Sequence, residues 1–254
     1  MDEQERSSLR EYLLGLADDE LILGHRNSEW CGVAPIIEED IAFANIALDE
    51  IGHASLWYGL IADLNGDDKT TFPDRMVFQR PGKDFRNIQL VELPKGDWAF
   101  SILRQYLFDE AELIRLDGLK SSNYSPLGEN AAKIRTEEIY HQRHNRMWVK
   151  RLGLGTEESH QRLQAALDTI WPYCAQIFSP PANYDRLVIS GITPEHKSMQ
   201  AAWEKTVRGF LKECEIKVPS GSQLSINRQQ HTAHLGLMIA DLISVRQLDP
   251  LAEW

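Results

Sequence analysis

Three short motifs in the sequence pair a glutamate with a histidine three residues later, and two of them lie inside apolar stripes. Those two are Glu50-x-x-His53 and Glu138-x-x-His141. Residues three apart lie on the same side of a helix, and both pairs fall on the apolar stripe that should face a core. A carboxylate and an imidazole in such a stripe must be paired, hydrogen-bonded or metal-bound, because burying an isolated charge costs several kcal/mol.

Two more glutamates lie on the apolar stripes of other predicted helices. Glu20 interrupts the first stripe and Glu110 the third. The chain order Glu, Glu-x-x-His, Glu, Glu-x-x-His is the ligand pattern of helix bundles that bind two iron or manganese ions. Such a set neutralises two metal ions with carboxylates and adds imidazole donors. We therefore predict a dimetal centre, with iron favoured and manganese open, whose ligands are Glu20, Glu50, His53, Glu110, Glu138 and His141.

The positions of these residues along their helices support the same centre. Glu20 lies about 10 residues before the first turn and Glu50 about 15 residues after Pro35, which places both roughly 15–22 Å from one end of the bundle. Glu110 and Glu138 are each about 11–13 residues from the loop at 121–126, or roughly 16–20 Å from it. In an antiparallel bundle we expect all four carboxylates to meet at one level.

Residues adjacent to the predicted ligands leave alternatives open. Glu112 competes with Glu110 for the position on the third long helix. Asp49, Asp109 and Glu137 each precede a predicted ligand, so they either point outward or contact the ligands from behind.

Two other motifs have spacing that resembles a metal site. Glu157-x-x-His160 lies at a predicted helix start with no apolar stripe around it, so we interpret it as a solvated cap. His231-x-x-His234 has no carboxylate near it in the sequence, which favours a structural role.

The elements that must position these residues are all predicted to be helices. Gly and Pro punctuation separates the apolar stripes, and no segment shows sustained strand alternation. The prediction is an all-α single domain over 1–254, with a four-helix bundle core at about 9–152 and accessory helices at about 156–247. The predicted helices cover about 9–30, 37–64, 97–119, 125–152, 156–171, 193–214 and 227–247.

Composition excludes several classes of protein. The chain has 254 residues, 43% of them hydrophobic, and a formal net charge of −11, which argues against a general nucleic-acid or anionic-membrane binder. The N-terminal segment has no apolar signal region, and no run of eighteen apolar residues is present. The isolated Cys31, Cys174 and Cys214 favour reduced, buried thiols over disulfides. We expect a cytoplasmic protein.

Several stretches resemble the phenylacetyl-CoA epoxidase group of bacterial multicomponent oxygenases, and most of all its C-type subunits. The matching stretches are Glu29–Gly32, Glu39–Asp49, Gly96–Phe100, Arg104–Tyr106 and His231–Gly236. The resemblance implies a ferritin-like fold and epoxidation of the ring of phenylacetyl-CoA in phenylacetate degradation. It also implies partner oxygenase subunits, a homo- or hetero-oligomer, and a separate reductase that passes electrons from NADPH through flavin and an iron–sulfur cluster.

The metal positions depart from the pattern of that group. In its familiar C-type chains these positions are degraded, and the chain supports a catalytic A-type subunit, whereas all six predicted ligands are present here. Our first hypothesis is a di-iron monooxygenase component that uses O2 on an aromatic acyl-CoA. The alternatives are a non-catalytic structural subunit of that complex, in which the six residues form a metal-free polar network, and a stand-alone iron-storage or oxidant-scavenging protein.

Overall fold

A computed structural model describes residues 1–220 and 227–249 of the chain. Within these ranges the chain forms α-helices, two 3-10 segments at Gly82–Asp84 and Trp171–Phe178, and no β-strand, which confirms the all-α prediction. The helices are α1 (Glu3–Ser28), α2 (Ile37–Asn65), α3 (Phe72–Phe78), α4 (Gln89–Glu92), α5 (Trp98–Leu119), α6 (Ser125–Gly153), α7 (Glu157–Ile170), α8 (Tyr184–Ile189), α9 (His196–Glu213), α10 (Ala233–Leu242) and α11 (Ser244–Leu248).

The four long helices α1, α2, α5 and α6 form the bundle. Helix α1 packs along α2, α5 packs along α6, and α2 also contacts α6. Helices α2 and α6 run antiparallel, since Asn130 Nδ2 donates to Leu56 O at 3.2 Å near one end and His144 Nε2 lies 2.7 Å from Glu39 Oε2 near the other. This architecture is consistent with the ferritin-like bundle predicted from the sequence.

Local signals fix most of the helix ends. Helix α1 begins at Glu3, six residues before the predicted start, because Asp2 and Glu5 form a capping box there. Asp97 caps α5 by accepting a hydrogen bond from Phe100 N. Thr156 caps α7, and the chain changes to a 3-10 segment at Trp171, next to Pro172, which cannot continue an α-helix.

Helix α5 lies at the centre of the molecule. It packs against α6, α7 and α9, and every residue from Ser101 to Leu113 is buried. The indole Nε1 of Trp203 on α9 donates to Leu107 O of α5 at 2.9 Å. Because α5 is buried all round in this stretch, its hydrophobic pattern does not reveal which side faces α1 and α2.

The C-terminal helix begins later than predicted. Residues 227–232 are not helical, and α10 starts at Ala233. Two polar side chains hold this segment against the bundle: Arg228 Nη1 donates to Asp19 Oδ2 at 2.8 Å, and His231 Nδ1 lies 2.6 Å from Glu92 Oε1. The prediction of a helix from 227 was therefore wrong there, because these side chains bind buried carboxylates. Residues 221–226 and 250–254 of the predicted domain lie outside the described ranges.

The burial of the three cysteines matches the prediction only in part. Cys174 and Cys214 are buried free thiols, but Cys31 is exposed, so the predicted burial was wrong for it. Cys31 lies in the turn after α1, away from any packed face.

Among the described residues, every helix is too short or too polar to cross a lipid bilayer.

Candidate metal centre

Four of the six predicted ligands converge in the middle of the bundle. Glu20 of α1, Glu50 and His53 of α2, and Glu138 of α6 each offer a ligand atom within 4.8 Å of the others. All four side chains are buried. The convergence follows from the apolar stripes, since each residue lies on the side of its helix that faces the bundle interior.

The two ring nitrogens of His53 have different surroundings. Its Nδ1 atom faces the cluster, 3.5 Å from Glu138 Oε1, 3.7 Å from Glu50 Oε2 and 3.9 Å from Glu20 Oε2. Its Nε2 atom lies 2.7 Å from Glu137 Oε2 on α6. Nδ1 is therefore the atom available to a metal, while Glu137 fixes the orientation of the ring.

His141, the fifth predicted ligand, has the same arrangement from the opposite helix. Its Nδ1 atom lies 3.0 Å from Glu138 Oε1 and 3.7 Å from Glu50 Oε1. Its Nε2 atom lies 3.2 Å from Asp49 Oδ2 on α2. On each helix, the carboxylate that precedes the ligand glutamate binds the histidine of the other helix, and the two histidine ring centroids are 6.0 Å apart.

Several donor atoms of the cluster have no hydrogen-bond partner. Both carboxylate oxygens of Glu20, one oxygen each of Glu50 and Glu138, and Nδ1 of His53 are buried and unpaired. Buried polar atoms in native proteins are nearly always satisfied, so a cluster of five calls for a bound group. Carboxylate oxygens and imidazole nitrogens are ligands for iron and manganese, and the residues present therefore fit a metal centre.

Burial and neighbouring charges shift the pKa values of the cluster residues in different directions. Burial and the charge of Glu50 raise the pKa of Glu20 well above its usual value. Although burial opposes it, the neighbouring Glu20 carboxyl and His53 ring lower the pKa of Glu50 to about 2. Burial also opposes the shift at His53, but the neighbouring carboxylates of Glu50 and Glu138 raise its pKa to about 9. Without metal, protons thus balance the carboxylate charge.

The pKa of His141 shifts in the same direction. Burial opposes the charged ring, but the charge of Glu138 and the hydrogen bond with Asp49 raise the pKa of His141 well above its usual value. The surroundings of both histidines therefore favour the protonated ring when no metal is present. Because a metal binds only the deprotonated nitrogen, metal binding at this centre must release protons.

On α5, an amide network supports the cluster. Gln105 Nε2 donates to Glu50 Oε1 at 2.7 Å and to Asp109 Oδ1 at 2.7 Å. Asn145 Nδ2 donates to Asp109 Oδ2 at 2.9 Å, and Asn27 Nδ2 donates to Gln105 Oε1 at 2.8 Å. These bonds fix one oxygen of Glu50 and leave its other oxygen free in the cluster.

The sixth predicted ligand, Glu110, lies on a different side of α5. Its Oε1 atom is 3.2 Å from Arg146 Nη1, and the Arg146 guanidinium stacks over the ring of Phe210 on α9. Burial raises the pKa of Glu110, and Arg146 opposes this rise. The structure therefore does not bring Glu110 together with the other five.

The other candidate on α5, Glu112, interacts with the charges of the cluster. Burial raises its pKa to about 7; the adjacent Arg115 opposes this rise, and the charge of Glu138 adds to it. Glu112 accepts a hydrogen bond from Arg115, and its Oε1 atom is buried without a partner. This competing residue on α5 therefore shares the charge field of the cluster, which Glu110 does not.

The two motifs interpreted as structural lie outside the cluster. His160 Nδ1 lies 2.8 Å from Gly153 O beside the capping box of α7, as expected for a helix cap. His231 contacts Glu92, a carboxylate that is far from it in the sequence and lies outside the cluster. Its Nε2 atom is 3.1 Å from Phe85 O, which supports the structural role.

A cavity of about 440 Å³ adjoins the outer side of α1 and α2. Leu21, Ile51 and Ala54, which are sequence neighbours of ligands, line it together with residues of α3 and Leu242 of α10. None of the cluster side chains lines this cavity. The cavity therefore lies beside the candidate centre without opening onto its ligand atoms.

Sequence reasoning left Asp49, Asp109 and Glu137 open between pointing outward and contacting the ligands from behind, and it did not identify Gln105 and Asn145 as supports of the cluster. Gln105 and Asn145 carry no metal-ligand signature, and only their positions on buried faces distinguish them. Asp49 and Glu137 could have been assigned from the sequence, because each precedes a predicted ligand and carboxylates commonly orient metal-binding histidines.

Comparisons with known proteins point to one family. The model of the family described as phenylacetic acid catabolic protein matches residues 1–254. The chain is 34% identical to the C subunit of 1,2-phenylacetyl-CoA epoxidase from Escherichia coli K12 over 250 residues, which cover 98% of this chain and 100% of that protein. It is also 25% identical to the A subunit of that epoxidase over 151 residues, which cover 59% of this chain and 47% of the A subunit.

Proposed function

Because this chain belongs to the family of phenylacetic acid catabolic proteins, we propose that it is a metal-binding component of an oxygenase that epoxidises phenylacetyl-CoA or a related aromatic acyl-CoA. The observation that carries the proposal is the buried Glu20–Glu50–His53–Glu138 cluster with its unpaired donor atoms. A purely structural polar network would satisfy those atoms internally.

The proposed ligands come from all four bundle helices. Glu20, Glu50, His53, Glu138 and His141 supply five of them, with both histidines using Nδ1. For α5 we propose Glu112 in place of Glu110. Glu110 is turned toward Arg146, whereas the charges of Glu138 and Glu50 act on the carboxyl group of Glu112 and raise its pKa. We propose two iron ions, and manganese is the alternative that the same donors would accept.

Two bound iron ions would supply the redox chemistry through which O2 is activated. The protein's own residues orient the metal ligands and hold the protons of the two histidine rings. Glu137 and Asp49 hold the Nε2 protons of His53 and His141, which keeps both Nδ1 atoms directed inward. Gln105 holds one oxygen of Glu50. The buried surroundings exclude bulk water, which strengthens every charge interaction at the centre.

Partner subunits and a reductase complete the proposed system. The relatives of this chain are named as the A and C subunits of one epoxidase, and we propose that this chain also works beside an A-type subunit in a hetero-oligomer. A separate reductase would deliver electrons from NADPH through flavin and an iron–sulfur cluster. We place the complex in the cytoplasm, where acyl-CoA substrates are found.

Turnover in a reconstituted system tests this function. The chain is combined with the A-type subunit and its reductase, and phenylacetyl-CoA epoxidation is measured for wild type, Glu138→Ala and the exposed Glu158→Ala control. We expect Glu138→Ala to lower turnover by at least an order of magnitude while Glu158→Ala does not. Equal turnover of all three, with an unchanged complex, would assign the chain a structural role.

A further inference from the structure

The cavity on the outer side of α1 and α2 has the size and the lining of a site for a small organic molecule. Its volume of about 440 Å³ is about three times that of an apolar protein cavity of roughly 150 Å³ that binds benzene. Binding sites for small molecules have such volumes and are lined mostly by apolar side chains. The apolar lining comes from four helices and includes Leu21, Ile51, Ala54, Val77, Phe78 and Leu242.

The contact between α1 and α2 separates this cavity from the metal cluster. Ala54 lines the cavity and directly follows His53 in the sequence. At Gly24 of α1 the two helices are so close that an added Cβ would lie 3.0 Å from Ala47 O of α2. A molecule in the cavity therefore lies near the cluster but on the other side of a packed wall, and it does not contact the ligand atoms.

Aromatic rings from two helices line the cavity. Tyr58 of α2 is 1% exposed and its hydroxyl donates to Asp18, so its polar atom is already paired while its ring lines the cavity. Phe78 of α3 lines the same space. Aromatic rings gain energy from edge-to-face and offset contacts with a further ring, beyond what burial of the same area gives. The lining therefore favours an aromatic ligand over an aliphatic one.

The charges around the cavity disfavour an anionic ligand. Among the described residues that line it, none is Lys or Arg, whereas Asp74 lines it; Arg246 lines the adjoining cavity instead. His25 also lines the cavity, and burial lowers the pKa of its ring although Glu29 and Asp241 oppose the shift. A neutral imidazole supplies no positive charge. A carboxylate in this cavity would therefore lose its hydration without gaining a cationic partner.

We propose that this cavity is a binding site for a small neutral aromatic molecule of one or two rings, separate from the metal centre. The volume sets the size of the ligand, and the rings of Tyr58 and Phe78 set the preference for an arene. The charge of the lining excludes arenes that carry a carboxylate or a CoA group. The Ser55 hydroxyl, which also lines the cavity, can form a hydrogen bond with one polar substituent.

Calorimetric titration of the purified full-length chain with two matched pairs of probes tests the ligand class. Toluene and methylcyclohexane differ in aromaticity, and phenylacetamide and phenylacetate differ in charge. We expect toluene to bind at least twofold more tightly than methylcyclohexane, which is the lower end of the aromatic contribution. Phenylacetamide should bind at least tenfold more tightly than phenylacetate. No binding of toluene at millimolar concentration, or equal affinities within either pair, would overturn the proposal.

Substitutions on α3 and α10 test the location of the site. Val77→Trp fills the cavity from α3, and Leu242→Asp places a carboxylate in it from α10, so each should weaken toluene binding at least tenfold. Gln79→Trp is the matched control, because Gln79 directly follows α3, is exposed and does not line the cavity. Circular dichroism checks that each variant is folded. Wild-type affinity in both Val77→Trp and Leu242→Asp would overturn the assignment to this cavity.

All these titrations are made on metal-free protein in the presence of a chelator. Arene binding is therefore measured independently of the metal centre, whose iron content is determined in a separate experiment. Arene binding by a chain that takes up no iron would refute the metal centre alone, whereas iron uptake without arene binding would refute this site alone.

Discussion

The proton on His53 makes the stability of the metal-free protein depend on pH. Its pKa rises from 6.5 to about 9 on folding, because the neighbouring carboxylates of Glu50 and Glu138 outweigh the effect of burial. The folded state then holds the proton more tightly than the unfolded state. The resulting stabilisation is fully present below pH 6.5 and is lost as the pH rises through about 9.

The size of this contribution follows from the shift. A change from 6.5 to about 9 corresponds to about 3 kcal/mol of unfolding free energy for a single site. The side chain is buried, so solvent screening reduces this value only modestly. His53→Gln removes the titrating group. Between pH 6.5 and 9, the unfolding free energy of the variant should therefore fall by up to about 3 kcal/mol less than that of wild type.

Urea unfolding in the presence of a chelator measures the difference. Wild type, His53→Gln and the His160→Gln control are compared at pH values below 6.5 and above 9. His160 also belongs to a Glu-x-x-His motif but lies at the cap of α7, away from the cluster, so its replacement should leave the pH dependence unchanged. Identical pH slopes for wild type and His53→Gln would refute the protonated cluster.

Four further substitutions, with Gly209→Ala as a control, test the centre and the packing around it. Asp49→Asn and Glu137→Gln remove the carboxylates that orient the two histidines, and each should weaken metal binding 10- to 100-fold by calorimetry while the fold, followed by circular dichroism, is retained. Gly24→Ala places a Cβ 3.0 Å from a backbone oxygen of α2, so it should lower the melting temperature. The control Gly209→Ala, where the added Cβ meets open space, should raise the melting temperature slightly, because alanine favours the helix more than glycine does. Arg228→Ala removes the ion-pair partner of buried Asp19, which keeps the hydrogen bond from Ile88 N, and should cost about 3–5 kcal/mol in urea unfolding. A loss below about 1 kcal/mol, in the range of an exposed ion pair, would contradict the assigned contact.

Part of the site that the sequence predicted lies on helices with one buried face. On α2 and α6, polar residues alternate with apolar stripes, so the stripe identified the inward direction of Glu50 and Glu138. Helix α1 is buried on all sides from Gly15 to Gly24, and there the chain order of glutamates and Glu-x-x-His motifs identified Glu20. The side chains of these residues converge as expected. Helical periodicity is sufficient when solvent covers the opposite side.

Helix α5 is also buried on all sides, from Ser101 to Leu113, and it carries two candidate glutamates in that stretch. Its apolar pattern cannot distinguish the side of Glu110 from that of Glu112. The Gln105–Asn145 network likewise depends on contacts between helices that no local pattern encodes. The helix start expected at 227 failed for a similar reason, since Arg228 binds a carboxylate more than 200 residues earlier in the chain.

Anaerobic titration of the purified chain with ferrous iron tests the central claim most directly. Equilibrium dialysis and elemental analysis would count the ions bound by wild type, Glu50→Ala and the control Glu157→Ala. Two iron ions per chain for wild type and the control, with loss of at least one in Glu50→Ala, is the predicted result. Wild-type protein that binds no iron or manganese, and unfolds identically to Glu50→Ala, would contradict the metal centre.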